Sequence, residues 1–269
     1  MSMKKTLTLA GSDTSGGAGI QADLKTFQEH SVYGMTALTS IVTMDPKNNW
    51  SHGVYPIDAA IVSKQLDTIL SIGIDAMKTG MLGSVDIIEL GAQKMDEYKL
   101  DKFVLDPVMV CKGEDEVLQP ENTDAMRELL LPRATLTTPN LFEAGQLAQN
   151  GPIKTMDDMK EAAVKIHELG AKNVVIKGGK VFDHEKAIDL FYDGKAFTVL
   201  ENEKINTTYN HGAGCTFAAA TTANLANGKS VKEAVANAKE FVTAAIAHGW
   251  KMNEYVGPVM HGAYHQFGK

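Results

Sequence analysis

Cysteine is scarce in this sequence, which carries only Cys111 and Cys215 among 269 residues. Two cysteines cannot supply a disulfide framework, and without an export signal we expect both thiols to be free and reduced. The first apolar run ends after five residues at a Gly-Ser-Asp turn, which is too short for a signal peptide or a membrane span. The sequence therefore predicts a cytoplasmic protein with no membrane partner.

Positive charge is also in short supply. The chain has 26 lysines and arginines against 33 aspartates and glutamates, a formal net charge of −7, and no basic run. This balance argues against a nucleic-acid partner and favours a small-molecule one. No linker rich in proline, serine or charge interrupts the chain, so we expect residues 1–269 to form a single domain.

Short apolar runs of strand length alternate with longer segments of helical period, the pattern of an α/β fold with a mostly parallel sheet and helices on its faces. An Asp193-Gly194 turn between two alternating runs also predicts a hairpin over residues 187–203. The predicted helices include residues 17–30 and 56–72, and helices fill residues 214–248. The predicted parallel strands are residues 6–11, 36–44, 74–80, 102–108, 135–140 and 173–179.

Segments rich in glycine and polar residues follow five of these strands. They are "GSDTSGGAG" (11–19), "TGML" (79–82), "DPVMVCKG" (106–113), "PNLFEA" (139–144) and "KGGK" (177–180). Turn residues of this kind can serve the backbone alone. In open parallel sheets, however, ligands bind outside the carboxyl ends of the strands, so we expect a binding site at this edge.

One glycine cluster suggests an alternative function. Residues 17–22, "GAGIQA", match the dinucleotide-binding fingerprint and would indicate a nicotinamide oxidoreductase. The match fits poorly because "GSDTSG" separates the strand from the first glycine. A Walker phosphate loop is also disfavoured, because Gly228-Lys229-Ser230 lacks the upstream glycine.

A second cluster, Gly212-Ala213-Gly214, precedes a helix of small residues. Backbone N–H groups can converge at such a turn, and the helix adds its N-terminal partial positive charge. This pattern predicts an anion hole for a developing phosphoryl charge. The alternative is a glycine turn before a tightly packed helix.

Six motifs together resemble one protein family along almost the whole chain. They are "AGSDTSGGAGIQADLKTF", "KTGML", "DPVMVCKG", "TPNLFEA", "VVIKGG" and "HGAGCTFAAA". In this order they resemble the hydroxymethylpyrimidine kinase and pyridoxal kinase branch of the ribokinase-like superfamily. The resemblance implies a ribokinase-like three-layer sandwich that transfers phosphate from ATP to a hydroxymethyl group on a heteroaromatic ring. It also implies Mg²⁺ and a homodimer, and it leaves a monovalent cation open.

The same resemblance implies catalytic roles for the second glycine cluster. Gly212, Ala213 and Gly214 would form the anion hole, and Cys215 would take the place of the aspartate base usual in the superfamily. A thiol at a helix N-terminus has a lowered pKa, so we expect a thiolate near neutral pH. The alternative for Cys215 is a small, buried, apolar side chain.

Metal and nucleotide ligands follow from the resemblance as well. Glu143 would organise Mg²⁺, with support from Asp106, which could instead cap a helix or form a turn. An exposed charge on a hairpin or helix is usually only solvated, which is the alternative for Asp189 and Lys239. The implied nucleotide contacts are Asn140, Lys177, Gly178, Gly179, Asp189, Gly214 and Lys239.

The substrate would be bound by Gly11, Asp13, Ala18, Met44, Met81, Val108 and Cys111. Thiamin-pathway kinases of this branch carry glutamine at the position of Met44, and a thioether cannot pair with an aminopyrimidine. Met44 therefore favours pyridoxal, pyridoxine and pyridoxamine, with hydroxymethylpyrimidine (phosphate) kinase activity as the alternative or as a second activity. Cys111 begins a segment that could close as a lid, and either cysteine could add to the pyridoxal aldehyde as a hemithioacetal.

Two further hypotheses remain. A carrier could keep the fold and bind pyridoxal phosphate without catalysis, although it would not need the phosphoryl-transfer residues. His261 and His265, four residues apart, could ligate a metal on a helix, but no carboxylate or cysteine stands beside them in the sequence.

Overall fold

The computed structural model describes residues 2–109 and 120–268. In these ranges one sheet has nine strands, in the order β3-β2-β1-β4-β5-β6-β7-β8-β9. The strands are β1 Lys5–Asp13, β2 Tyr33–Asp45, β3 Ser51–Pro56, β4 Ala76–Thr79, β5 Phe103–Leu105, β6 Leu136–Thr137, β7 Val174–Gly179, β8 Ala187–Tyr192 and β9 Phe197–Asn202.

The six central strands, from β2 to β7 in the sheet order, are parallel, while β3, β8 and β9 add antiparallel edges. The predicted hairpin is β8–β9, and its turn is closed by Asp193 Oδ1, which accepts hydrogen bonds from the N–H groups of Lys195 and Ala196. Strand β3 was not predicted. Most of its side chains are exposed, so it lacks the buried apolar alternation that marks a strand.

The helices are α1 Gly19–Glu29, α2 Ala59–Ile72, α3 Val85–Glu97, α4 Pro120–Ala125, α5 Leu141–Ala148, α6 Met156–Glu168, α7 Ala213–Ala226, α8 Val231–Ala247 and α9 Ala263–Phe267. A π-helical turn, Met126–Leu130, and a short 3-10 turn, Leu131–Arg133, continue α4. The predicted helical region 214–248 is two helices. Gly228 leaves α7 at a φ of +87°, and a capping box between Ser230 and Glu233 begins α8.

Helices cover both faces of the sheet. On β5, Phe103 and Leu105 belong to the core under α2, α3, α5 and α6, while Val104 belongs to the core under α1 and α7. This alternation follows from the two-residue period of a strand. The predicted α/β architecture with three layers is confirmed. Within the described ranges, no helix is long and apolar enough to cross a membrane.

Helix α7 lies inside the protein, between the sheet, α1 and α8. Every residue from Thr216 to Ala226 is buried. Alanines and threonines on all sides allow this close packing, which a larger side chain would prevent. The packing places the first turn of α7 at the carboxyl edge of the parallel strands.

Candidate active site

One cavity of about 590 Å³ opens at the carboxyl ends of the parallel strands. The structure brings every predicted site residue within the described ranges to this cavity, while Cys111 lies outside those ranges. The individual roles of these residues remain predictions. The predicted residues that line the cavity are Gly11, Asp13, Ala18, Met44, Met81, Asp106, Val108, Asn140, Glu143, Lys177, Gly178, Gly179, Asp189, Gly212, Ala213, Gly214, Cys215 and Lys239.

The predicted anion hole is the first turn of α7. Gly212 caps the helix at a φ of +81°, and a Cβ atom there would lie only 1.8 Å from the Gly17 carbonyl oxygen, so only glycine fits. The Ala213 N–H donates to the Asn210 carbonyl at 3.2 Å. The N–H groups of Gly214 and Cys215 lie in the first turn of the helix, where no carbonyl of the same helix can accept their hydrogen bonds. They are therefore available to bind an anion.

Cys215 is the third residue of α7, and its thiol is partly buried at the cavity. Burial raises the pKa of the thiol to about 12, although the Lys78 ammonium and the Gly19 N–H, which donates to the sulfur, both act to lower it. The expectation of a thiolate near neutral pH is therefore wrong for the ligand-free protein. The helix N-terminus does not compensate for the loss of solvation.

A buried ion pair that was not predicted lies close to this thiol. Lys78, in the middle of β4, and Asp23, in α1, are fully buried, and Thr8 Oγ1 donates to Asp23 at 2.6 Å. Burial acts against the ammonium, but the charges of Asp23, Cys215 and Asp106 together outweigh it and raise the pKa of Lys78. One sequence signal was available, because a lysine within the apolar run 74–80 is unusual in a buried strand.

The two predicted metal ligands, Asp106 and Glu143, line the same cavity as Lys78. Asp106 accepts a hydrogen bond from Thr138 at 3.3 Å and lies 3.4 Å from Lys177 Nζ, both through Oδ1, while its buried Oδ2 has no hydrogen-bond partner. Burial raises the pKa of Glu143 to about 7, although Lys177 acts to lower it. A buried carboxylate oxygen without a hydrogen-bond partner, 4.0 Å from the Lys78 ammonium and beside a second carboxyl group, fits a hard cation such as Mg²⁺.

Asn140 and Glu143 also begin α5 through a capping box. The Glu143 N–H donates to Asn140 Oδ1 at 2.9 Å, and the Asn140 N–H donates to Glu143 Oε2 at 2.8 Å. These bonds fix both side chains at the cavity. They also use the amide oxygen of Asn140, so a nucleotide contact would come from Nδ2.

Asp189 and Lys239 form a second buried pair, with Oδ2 and Nζ 2.8 Å apart. Each residue is 5% exposed, so the alternative that these charges are merely solvated is wrong. The Gly179 N–H donates to Asp189 at 3.3 Å. The pair thereby connects α8 to the glycine-containing end of β7.

At the part of the cavity predicted to bind the substrate, Met44 of β2 lies opposite His52 of the antiparallel strand β3. Both side chains line the cavity, and His52 was not predicted because β3 was missed. At the end of β1, burial acts to raise the pKa of Asp13, but a hydrogen bond with His211 and other hydrogen bonds outweigh it and lower the pKa to about 2. His211 was also missed, although it directly precedes the anion hole.

The two C-terminal histidines do not share a site. His265 Nε2 lies 2.9 Å from the Glu29 carbonyl oxygen, whereas His261 is buried and its Nε2 has no hydrogen-bond partner. Burial lowers the pKa of His261 to about 4. In the part of the chain that the structure describes, no group of three or more potential metal ligands occurs.

Comparison with known proteins identifies the family of this chain. A family model described as phosphomethylpyrimidine kinase matches residues 13–260, so the chain belongs to this family. It is 62% identical over 266 residues to a protein named putative pyridoxine kinase from Staphylococcus epidermidis, covering 99% of this chain and 96% of that relative. The resemblance stated from the motifs is confirmed, and the oxidoreductase alternative is wrong.

Solved structures of pyridoxal kinases have the same fold. The ADP complex of the Bacillus subtilis enzyme matches with a TM-score of 0.96 at 61% identity, covering 98% of this chain and 100% of that one. The Staphylococcus aureus enzyme in complex with AMP-PCP and pyridoxal matches with a TM-score of 0.94 at 56% identity, covering 99% and 96%.

Proposed function

We propose that this protein is an ATP-dependent kinase that phosphorylates the 5′-hydroxymethyl group of pyridoxal, pyridoxine and pyridoxamine. The observation that carries the proposal is a single cavity that joins three parts: the first turn of α7 with Cys215, the buried Asp106–Lys177–Glu143 group, and the β2–β3 wall with Met44. The relatives named pyridoxine or pyridoxal kinase, including one solved with an ATP analogue and pyridoxal, support it.

Phosphoryl transfer needs positioning and charge stabilisation more than covalent chemistry from the protein. The amides of Gly214 and Cys215 bind the developing negative charge, and Lys177, whose ammonium lies near Gly214, adds a cation. The hydroxymethyl oxygen forms the new bond to phosphorus while the bond to the leaving nucleotide oxygen breaks. The proton of the hydroxyl passes to the sulfur of Cys215.

The raised pKa of Cys215 defines when it acts. The thiol must lose its own proton to solvent before it can accept one, and in the empty site burial opposes that loss. The Lys78 ammonium favours the thiolate, as do the two helix amides. We therefore infer that Cys215 acts as the general base only in the filled site.

Asp106 and Glu143 are the residues that would hold Mg²⁺. The ion would neutralise charge on the phosphate oxygens of the nucleotide. Lys177, 3.4 Å from Asp106, keeps that carboxyl group oriented before substrates bind. Asn140 Nδ2, the end of β7 at Gly178 and Gly179, and the Asp189–Lys239 pair contact or support the nucleotide.

Met44 supports pyridoxal and its analogues as substrates, because a thioether packs against an apolar ring but cannot pair with an aminopyrimidine. Hydroxymethylpyrimidine remains a second candidate substrate, since the matching family model is named for phosphomethylpyrimidine kinase. The two substrates share a hydroxymethyl group on a heteroaromatic ring, so the same transfer apparatus serves both. We also propose a homodimer, which sedimentation velocity would test.

The deciding experiment measures ATP consumption with pyridoxal, pyridoxine, pyridoxamine and hydroxymethylpyrimidine in parallel, using the wild type and Cys215→Ala. We expect turnover of the three B6 compounds and a large loss of kcat in the variant. Turnover of hydroxymethylpyrimidine alone would show that the Met44 argument is wrong. Full activity of Cys215→Ala would show that the base assignment is wrong, and binding without any turnover would favour the carrier alternative.

A further inference from the structure

Two loops meet at the floor of the cavity through one pair of side chains. We call residues 13–18 the β1 loop and residues 210–214 the anion turn. His211 Nε2 lies 2.7 Å from Asp13 Oδ2, although the two residues are 198 positions apart in sequence. His211 is 8% exposed and Asp13 is 5% exposed, so water does not compete for the bond.

We propose that His211 is a positioning residue for phosphoryl transfer: through its hydrogen bond with Asp13 it sets the position of the anion turn relative to the β1 loop. The proposal rests on the kinase function proposed above. It assigns no contact with substrate to His211. Its effect would come through the first turn of α7, which begins two residues later.

Both partners are held by further hydrogen bonds, Asp13 within the β1 loop and His211 to the segment around residues 257–259, so the bond between them links two ordered segments. Asp13 also accepts hydrogen bonds from the N–H groups of Ser15 and Ala18, each at 2.8 Å. The His211 N–H donates to the Gly257 carbonyl at 3.1 Å, and the His211 carbonyl accepts from the Val259 N–H at 3.2 Å. A displacement of either loop would therefore strain several hydrogen bonds at once.

The two loops approach so closely that their separation has little tolerance. A Cβ atom on Gly17 would lie 2.5 Å from the His211 ring, and one on Gly212 would lie 1.8 Å from the Gly17 carbonyl oxygen. These contacts prevent the loops from moving closer together. The His211–Asp13 hydrogen bond prevents them from separating, and the combination defines one spacing.

This spacing matters because the residues that follow the two loops meet at Cys215. The β1 loop leads directly into Gly19, whose N–H donates to the sulfur of Cys215. The anion turn leads into the amides of Gly214 and Cys215. Since an error of about 1 Å in the placement of reacting groups can reduce a rate by about a hundredfold, a loose connection between the loops would reduce kcat.

The test compares two amide replacements that differ in where they place the donor. The amide nitrogen of glutamine can reach the position of His211 Nε2, whereas that of asparagine reaches only the position of Nδ1. For His211→Asn we expect kcat to fall by about a hundredfold, with the dissociation constants for pyridoxal and AMP-PCP nearly unchanged. For His211→Gln we expect most of the wild-type kcat.

His167→Gln is the matched control. His167 is also partly buried and makes one hydrogen bond, from Nδ1 to the Ala171 carbonyl at 2.8 Å, but it lies on α6 and does not line the cavity. Its kcat should equal that of the wild type. Thermal unfolding of all three variants identifies any loss of folded protein.

Equal kcat values for the asparagine and glutamine variants would overturn the positioning role, as would a loss of kcat that follows the loss of folded protein. Wild-type turnover in the same assay separates this result from a failure of the proposed function. A wild type that consumes no ATP with any of the four substrates contradicts both proposals. An active wild type with fully active His211 variants contradicts only the positioning role.

Discussion

The ammonium of Lys78 lies 3.0 Å from each carboxylate oxygen of Asp23, and neither side chain is exposed. The same ammonium is 4.0 Å from Asp106 Oδ2. One buried cation therefore neutralises the Asp23 carboxylate and also lies near Asp106, the carboxylate predicted to hold Mg²⁺. The charge of Lys78 thus acts both on Asp23 in the protein core and on Asp106 in the candidate active site.

Lys78→Met should destabilise the protein by about 3 kcal/mol or more, because it leaves the Asp23 carboxylate buried and unpaired. The double variant Lys78→Met with Asp23→Leu should recover much of that loss, since it removes both charges. Urea unfolding at neutral pH provides the measurement. Lys160→Met removes only a surface pair with Asp157 and should change little. Equal unfolding free energies for the two single variants would contradict the prediction.

The thiol of Cys215 should react slowly with iodoacetamide near neutral pH, in a Cys111→Ser background where it is the one remaining thiol. Its pKa is raised to about 12, so the thiolate fraction, and with it the alkylation rate, should keep rising as the pH increases beyond 9. Mass spectrometry measures the rate. A rate that is already constant between pH 7 and 9 would mean that a thiolate is present in the empty site.

Gly212→Ala should abolish most activity and reduce stability, because the new Cβ would overlap the Gly17 carbonyl oxygen. Gly228→Ala is the control for backbone strain alone. Its φ of +87° is similar to the +81° of Gly212, but nothing lies within 4 Å of a Cβ there. We expect it to cost about 1 kcal/mol and to leave kcat unchanged. Similar kcat values for the two variants would contradict the role of close loop contact.

Met44→Gln should shift the ratio of kcat/KM values toward hydroxymethylpyrimidine by about tenfold or more, because an amide can pair with the aminopyrimidine. Ile41→Gln, on an exposed position of the same strand, should leave the ratio unchanged. Steady-state kinetics with pyridoxal and hydroxymethylpyrimidine measure both ratios. An unchanged ratio in Met44→Gln would mean that specificity is determined elsewhere in the cavity.

The Mg²⁺ requirement should depend on pH through Glu143. Burial raises its pKa to about 7, so below neutrality the carboxyl group is largely protonated and a poor ligand, and above neutrality it is ionised. The Mg²⁺ concentration that gives half-maximal activity should therefore decrease as the pH rises from 6 to 8. Glu143→Gln should remove this pH dependence. A half-maximal Mg²⁺ concentration that does not change with pH in the wild type would contradict the prediction.

The sequence predicted those parts of the site that local patterns encode. Apolar runs identify the parallel strands, and because parallel strands end at one edge, the polar segments after them converge. Asn140 and Glu143 were predicted from the family resemblance, and the capping box that fixes them is a local contact between residues three apart.

The remaining features depend on contacts that no local pattern reports. Lys78 and Asp23 are 55 residues apart in sequence, so their pairing follows only from the packing of α1 on the sheet. The same packing buries the thiol of Cys215 and reverses the pKa shift expected from a helix N-terminus alone. Strand β3, with mostly exposed side chains, offered no periodic signal.

Helix α7, buried from Thr216 to Ala226, has a consequence for how the proposed reaction cycle proceeds. A helix enclosed on all sides cannot shift without repacking its neighbours, so the end that carries Cys215 is a fixed reference point in every stage of turnover. The segment between β7 and β8, where Val181 lines the cavity and is 81% exposed, has fewer packing contacts to break and can move more easily during product release. Selection for faster turnover would then act on that segment and leave the helix unchanged.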